Sequence, residues 1–165
     1  MKKNHTFILL VLALFLCGFA MGCSSLTHDS YKRDFINQQV SNYAYHTDLG
    51  NLMSAARSML FSYGYQAHGP MSDTQLETGW GRTSNYSNTY RRYLVTGYKN
   101  NDGTSSIHFD YYEETRNDGH SSYATSGRDY SMEYELLRRV DSQGWNDIEH
   151  SAEAYANQIM ASENK

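Results

Sequence analysis

"TSSIHFDYYEET", residues 104–115, is the stretch on which the fold turns. Ile107, Phe109 and Tyr111 alternate with His108, Asp110 and Tyr112, and a period of two puts successive side chains on opposite faces of a strand. The first set is predicted to be core and the second to face water, as in an antiparallel sheet covered on one side. The preceding "KNNDG", 99–103, reads as a hairpin turn with a glycine ready for positive φ. Before it, "RRYLVTGY", 91–98, reads as the paired strand. Its inward face is left open, because Tyr93 and Val95 compete with Leu94 and Tyr98.

Toward the N-terminus, "TSNYSNTY", 83–90, is a polar loop, and Leu76, Thr78 and Trp80 alternate as a further strand. "YGYQAHGP", 63–70, reads as a short strand ending at a Gly69-Pro70 turn. Ahead of it, Thr47 is the expected N-cap of a helix with Asp48 in its first turn. Leu49, Leu52, Met53, Ala56, Met59, Leu60 and Tyr63 form its apolar stripe and Gly64 its stop. Toward the C-terminus, 116–127 is predicted to be a mobile loop. Asp129 then caps a helix with Tyr130, Tyr134, Leu137 and Val140 on one side, and after Gly144 a last helix carries Trp145, Ile148, Ala152, Tyr155 and Ile159. The expected fold class is α+β: about four mostly antiparallel strands, with an N-terminal helix and two C-terminal helices packed on one sheet face.

The chain opens with Met1-Lys2-Lys3-Asn4, and Phe7 to Met21 then runs without a charge. This is the layout of a signal peptide, and the run falls short of the roughly 20 apolar residues that a spanning helix needs. At its end, a small residue followed by cysteine, Gly22-Cys23, resembles the lipobox of bacterial lipoproteins. The rival Cys17 follows the bulky Leu16 and lies inside the apolar run. The resemblance implies cleavage before Cys23, a diacylglyceryl thioether on its sulfur and an acylated α-amine. Several acyl chains, at about 0.8 kcal/mol per buried methylene, amount to a permanent membrane anchor. In that family a serine after the cysteine, here Ser24, goes with the outer membrane. The expected organisation is a signal peptide over 1–22, a lipidated flexible tether over 23–42 and a single periplasmic α+β domain over 43–162. A flexible tether of about 20 residues would span roughly 25 Å.

Removal of residues 1–22 leaves 143 residues, and loss of Lys2 and Lys3 takes the net charge from −4 to −6. An acidic chain without a Lys/Arg cluster, in which Arg91-Arg92 and Arg138-Arg139 are isolated pairs, is not built to hold nucleic acid, which needs clustered cations. The mature chain would hold one cysteine, so no internal disulfide forms. Fifteen tyrosines, with few aliphatics after the leader, are expected mainly to complete the core with their apolar bodies.

Catalytic chemistry finds no foothold. A G-x-S-x-G elbow is missing, and Glu113-Glu114 are strand neighbours that point apart, so they cannot flank one bond. His46, Asp48, His108, Asp110 and His120 are the candidate metal ligands, but without an H-x-x-x-H pair they read as ordinary surface residues. No cofactor is implied.

The order of elements and the local "SYGYQ…LETGW…RRYLVTGY" pattern resemble the small helix-grip domains of outer-membrane accessory lipoproteins, those of the β-barrel assembly machinery being the nearest. The function expected is that of a membrane-anchored, non-enzymatic binding or scaffold module whose partner is another envelope protein or a lipid. A carrier of lipid or another hydrophobic ligand, with a cavity under the long helix, is the alternative, and a periplasmic enzyme the more remote one. Tyr86 and Tyr90 of the polar loop, with Arg92 and Tyr112 on the adjacent strands, form the candidate binding surface, because Tyr and Arg dominate recognition patches.

Overall fold

The computed structural model describes residues 27–69, 72–85, 87–117 and 120–163. Cys23 and Tyr86 lie outside the described residues. Four helices and five strands are described: α1 (His28–Ser41), α2 (Leu49–Ser62), β1 (Gln75–Glu77), β2 (Gly81–Arg82), β3 (Thr89–Lys99), β4 (Ser105–Asn117), β5 (His120–Arg128), α3 (Tyr130–Val140) and α4 (Ser142–Glu163). The sheet is antiparallel, in the order β1-β3-β4-β5, with β2 also paired to β3. The fold is therefore α+β.

The β3–β4 hairpin carries the fold. Its register places Tyr93 opposite Tyr111, Val95 opposite Phe109 and Gly97 opposite Ile107. Tyr93, Val95, Ile107 and Phe109 are buried, which settles the inward face of β3. Leu52, Met53, Ala56, Met59 and Leu60 of α2 close over them, as their spacing predicts. At Gly97 the helix packs close on the strand: a Cβ there would stand 2.6 Å from Leu49 Cδ1 and 2.8 Å from Met53 Sδ. Each large side chain buried in this layer contributes about 1.5–3 kcal/mol. Helix α2 is capped by Asp48, whose Oδ2 accepts from the Gly50 N–H at 3.0 Å, one residue later than expected. It ends at Tyr63, followed by Gly64 at φ +86°.

Helix α3 lies on β4 beside α2. The Asp129 cap forms as expected, Oδ1 accepting from Met132 N–H. Its buried residues, however, are Glu133, Leu136 and Leu137. Tyr134, expected on one side with Leu137, packs on Trp145 of α4 and donates to Glu149. The helix has two contact faces because α1 and α4 stack behind it. Within α4 the inward line is Ile148, Ala152 and Ala156, and Tyr155 turns aside onto Phe35 of α1.

Three segments depart from expectation. Residues 28–41, read as part of a flexible tether, form α1, which docks on α4 and α3. Only Val40 of this helix is fully buried. Val40 and the partly buried Ile36 reach the core and Phe35 meets Tyr155, and ion pairs add to them: Lys32 Nζ lies 2.8 Å from Glu149 and 3.3 Å from Glu153, and His28 Nε2 lies 3.3 Å from Glu153. The expected loop over 116–127 is largely strand, with β4 running to Asn117 and β5 starting at His120. The expected strand at 63–70 reduces to one bridge, Ala67 to Thr78.

Candidate functional site: the open face of the sheet

The helices cover one face of the sheet, and a shift of register decorates the other. Glu77 stands opposite Leu94 and Gly81 opposite Arg91, so the β1–β2 segment has one more residue between these pairs than β3 has. An inserted residue of this kind is a β-bulge, and it reverses which side chains face inward. Before the bulge, Leu76 and Thr78 are buried. Thr78 donates its N–H to Tyr93 O and accepts the Tyr93 N–H at Oγ1, both at 2.9 Å. After it, Gly81 is the inward residue: a Cβ there would meet Tyr65 Cε1 at 2.8 Å. Trp80 therefore points outward and is 40% exposed, although its alternation with Leu76 and Thr78 predicted a shared face.

On the outer face Trp80 joins a continuous row of arginines and aromatic rings. The Arg82 guanidinium carbon lies 5.6 Å from the Tyr90 ring centroid, and that of Arg116 lies 4.2 Å from the same ring and 5.5 Å from Trp80. That of Arg92 lies 5.2 Å from Trp80 and 5.0 Å from Tyr112. Contacts of this kind contribute about 0.5–1 kcal/mol each at exposed sites. Two carboxylates hold the row in place. Glu77 pairs with Arg92 at 2.6 Å, and Glu114 pairs with Arg116. Arg82 has no carboxylate partner among the described residues; its Nε donates to the Tyr90 hydroxyl at 3.1 Å.

A second arginine system lies on the inner side of the same hairpin and is closed. Arg91 donates Nε and Nη2 to Glu113, at 3.0 and 2.7 Å, and Nη1 to Asp129 and to the Tyr93 hydroxyl. Its guanidinium also covers the Tyr111 ring at 4.6 Å. Burial, opposed by Arg91, pushes the Tyr93 hydroxyl above the ordinary tyrosine range. Each of the groups named is engaged with its neighbours, as in a structural clamp.

Of the candidate surface residues, the structure brings Arg92 and Tyr112 into cross-strand register and contact, and joins Tyr90 to them through Arg116 and Trp80. Sequence reasoning missed Trp80 because the bulge breaks the alternation, and Arg82 and Arg116 because nothing local marks them as neighbours of Tyr90. The candidate metal ligands form no cluster of three among the described residues, and the side chain of His120 lies outside them. Asp48 caps α2. His108 stands against Tyr98 at 5.1 Å, and burial, reinforced by Arg128, lowers its pKa.

The space under α2 where a carrier would hold its ligand is filled by Met53, Met59, Leu60 and Phe109. A surface groove of about 680 Å³ lies beside α2, bordered by Arg57, Phe61, Tyr65 and Gln66. No described helix is long and apolar enough to cross a membrane. No protein-family model, curated protein or solved structure matches the chain.

Proposed function

We propose that the protein is a bacterial envelope lipoprotein, anchored through Cys23 in the outer membrane with its domain in the periplasm, and that the domain is a non-enzymatic binding module for another envelope protein. The observation that carries this reading is the outer sheet face. Trp80, Tyr90 and Tyr112, with three arginines, occupy a surface that no element of the described chain covers, and this is the composition of interaction hot spots. The filled space under α2 weighs against a carrier of hydrophobic ligands. The anchor rests on Gly22-Cys23-Ser24 at the end of the uncharged run.

Two measurements test it. Cys23→Ala should shift the protein from the membrane fraction to the soluble periplasm or leave it as an unprocessed precursor; a wild-type protein found soluble with a free Cys23 thiol rejects the anchor. Crosslinking in intact envelopes should trap a defined protein on the native form. If only lipid is recovered, the carrier reading replaces this one.

A further inference from the structure

The binding-module reading leaves open what the outer face recognises, and the chemistry of the row narrows it. An aromatic ring is negative over its faces and positive at its edge. Two guanidiniums lie within 5.6 Å of the Tyr90 centroid and two within 5.5 Å of the Trp80 centroid, with a third ring, Tyr112, against Arg92. Cations of the protein itself thus already compete for the π-faces that a sugar or a base would stack on. The row offers a ligand positive ring edge and N–H donors, and both favour an acceptor-rich, anionic group.

Charge counts in the same direction. Among the described residues, Arg82, Arg92 and Arg116 pair with two carboxylates, Glu77 and Glu114, so the described row carries an excess positive charge on a chain whose net charge is −4. The excess sits on Arg82. It is exposed, and its single hydrogen bond, to Tyr90, leaves the Nη1 and Nη2 donors of a planar fork with no carboxylate among the described residues. A guanidinium fork matches a carboxylate through two parallel hydrogen bonds. The layout is also directional. From Tyr112 to Arg116 along β4 is about 13 Å, and from β2 to β4 about 10 Å, at ordinary strand dimensions. That is the footprint of four residues of extended chain. The bulge adds the last element, since it turns Trp80 out of the core to stand in the middle of the row, and bulges recur where a side chain must be re-aimed.

We infer that the row Arg82–Tyr90–Arg116–Trp80–Arg92–Tyr112 is a receptor for an extended acidic segment of a partner protein. A carboxylate of the segment docks on Arg82, and Trp80 is the central contact. This inference rests on the binding-module reading and specifies its ligand.

The test uses the full chain in detergent and a fluorescent octapeptide of alternating Glu and Ser, with the Gln-for-Glu peptide and an oligothymidylate of equal length beside it. Anisotropy should show saturable binding of the Glu peptide, weakening as salt rises and tighter than the Gln peptide by about five-fold or more. Arg82→Gln and Trp80→Ala should each weaken it by about five-fold or more. Arg57→Gln, an exposed arginine on α2, should change it by less than about two-fold as a control for general charge. Equal affinity for the Glu and Gln peptides, no binding, tighter binding of the oligothymidylate, or an Arg82→Gln variant that behaves like Arg57→Gln each overturns the assignment. Because Arg82 is exposed, its variant tests the idea even if Trp80→Ala fails to fold. Crosslinking in envelopes separates the two levels. A partner trapped equally by wild type and Arg82→Gln leaves the module standing and removes this ligand, whereas no trapped partner removes both.

Discussion

The two faces of the β3–β4 hairpin share one backbone and differ in everything else. Inward, Val95, Ile107 and Phe109 meet the apolar stripe of α2, and even the polar groups at the rim are closed into a clamp around Arg91. Outward, the alternate residues of the same strands, Tyr90, Arg92 and Tyr112, are held by guanidinium–ring contacts that are weak one by one. The inner face makes the protein stable, and the outer face is free to do something else. Separating stability from recognition at single-residue spacing is what a sheet covered on one side permits.

The largest effect expected is on the inner face. Phe109→Ala should cost about 3–5 kcal/mol out of the 5–15 kcal/mol typical of a domain, whereas His108→Ala, one residue away and outward, should cost under about 1 kcal/mol. Urea unfolding of the two variants checks this; similar midpoints would break the comparison. Next comes Glu133, 1% exposed. Its Oε1 accepts from the Phe109 N–H at 3.1 Å and from Arg128 Nε at 2.7 Å, and its Oε2 accepts from Arg128 Nη2 at 2.9 Å. Glu133→Ala leaves the Phe109 N–H without its acceptor and strips the carboxylate from the Arg128 guanidinium, which keeps its bond to Ser41 O and the Tyr130 ring, so the unfolding free energy should drop by about 3 kcal/mol.

The smallest effect sets that carboxylate against another on the same helix. Burial raises the Glu133 pKa, against the pull of Arg128, so its ionisation favours the unfolded chain as pH rises through the carboxylate range. Glu135 goes the other way. Its hydrogen bonds to Arg138 and Arg139 lower its pKa from 4.5 to about 2. The stability that Glu135 adds is therefore present above the ordinary carboxylate pKa and is lost as pH falls from 4.5 toward about 2. Glu135→Gln should remove that part of the acid dependence, about 1 kcal/mol or less for a pair near the surface. Urea midpoints measured across this interval in both proteins decide it, and parallel slopes would show that the pair contributes nothing.

The sequence was most legible where burial and periodicity coincide. Helix α2 and β4 follow directly from their apolar spacing, and Asp129 caps α3 as its position implies. Helix α1 was opaque because its apolar contacts are few, Phe35, Ile36 and Val40, and the rest of its docking is through Lys32, His28 and their glutamates. Strand β5 was opaque because it lies at the edge of the sheet, where Ser, Thr and Gly read as a loop. At the candidate site, the outward turn of Tyr112 follows from the parity of β4, whereas Arg92 stands out by residue type, and the register then pairs the two. Trp80 could not be found, since one extra residue in a partner strand leaves no mark in composition or period.

That α1 is folded against α4 has a consequence for how far the domain can wander. The expected tether of about 20 residues has a contour near 70 Å, but only four peptide units separate Cys23 from Thr27, the N-cap of α1, and they reach about 14 Å at most. If Cys23 is the anchored atom, as proposed, the root-mean-square reach falls from roughly 25 Å to about 11 Å, and the volume swept by the domain shrinks by about one order of magnitude. Its effective concentration toward anything fixed in the same leaflet rises to match. A partner within that radius would be met almost continuously, and one standing deeper in the periplasm would have to come to it.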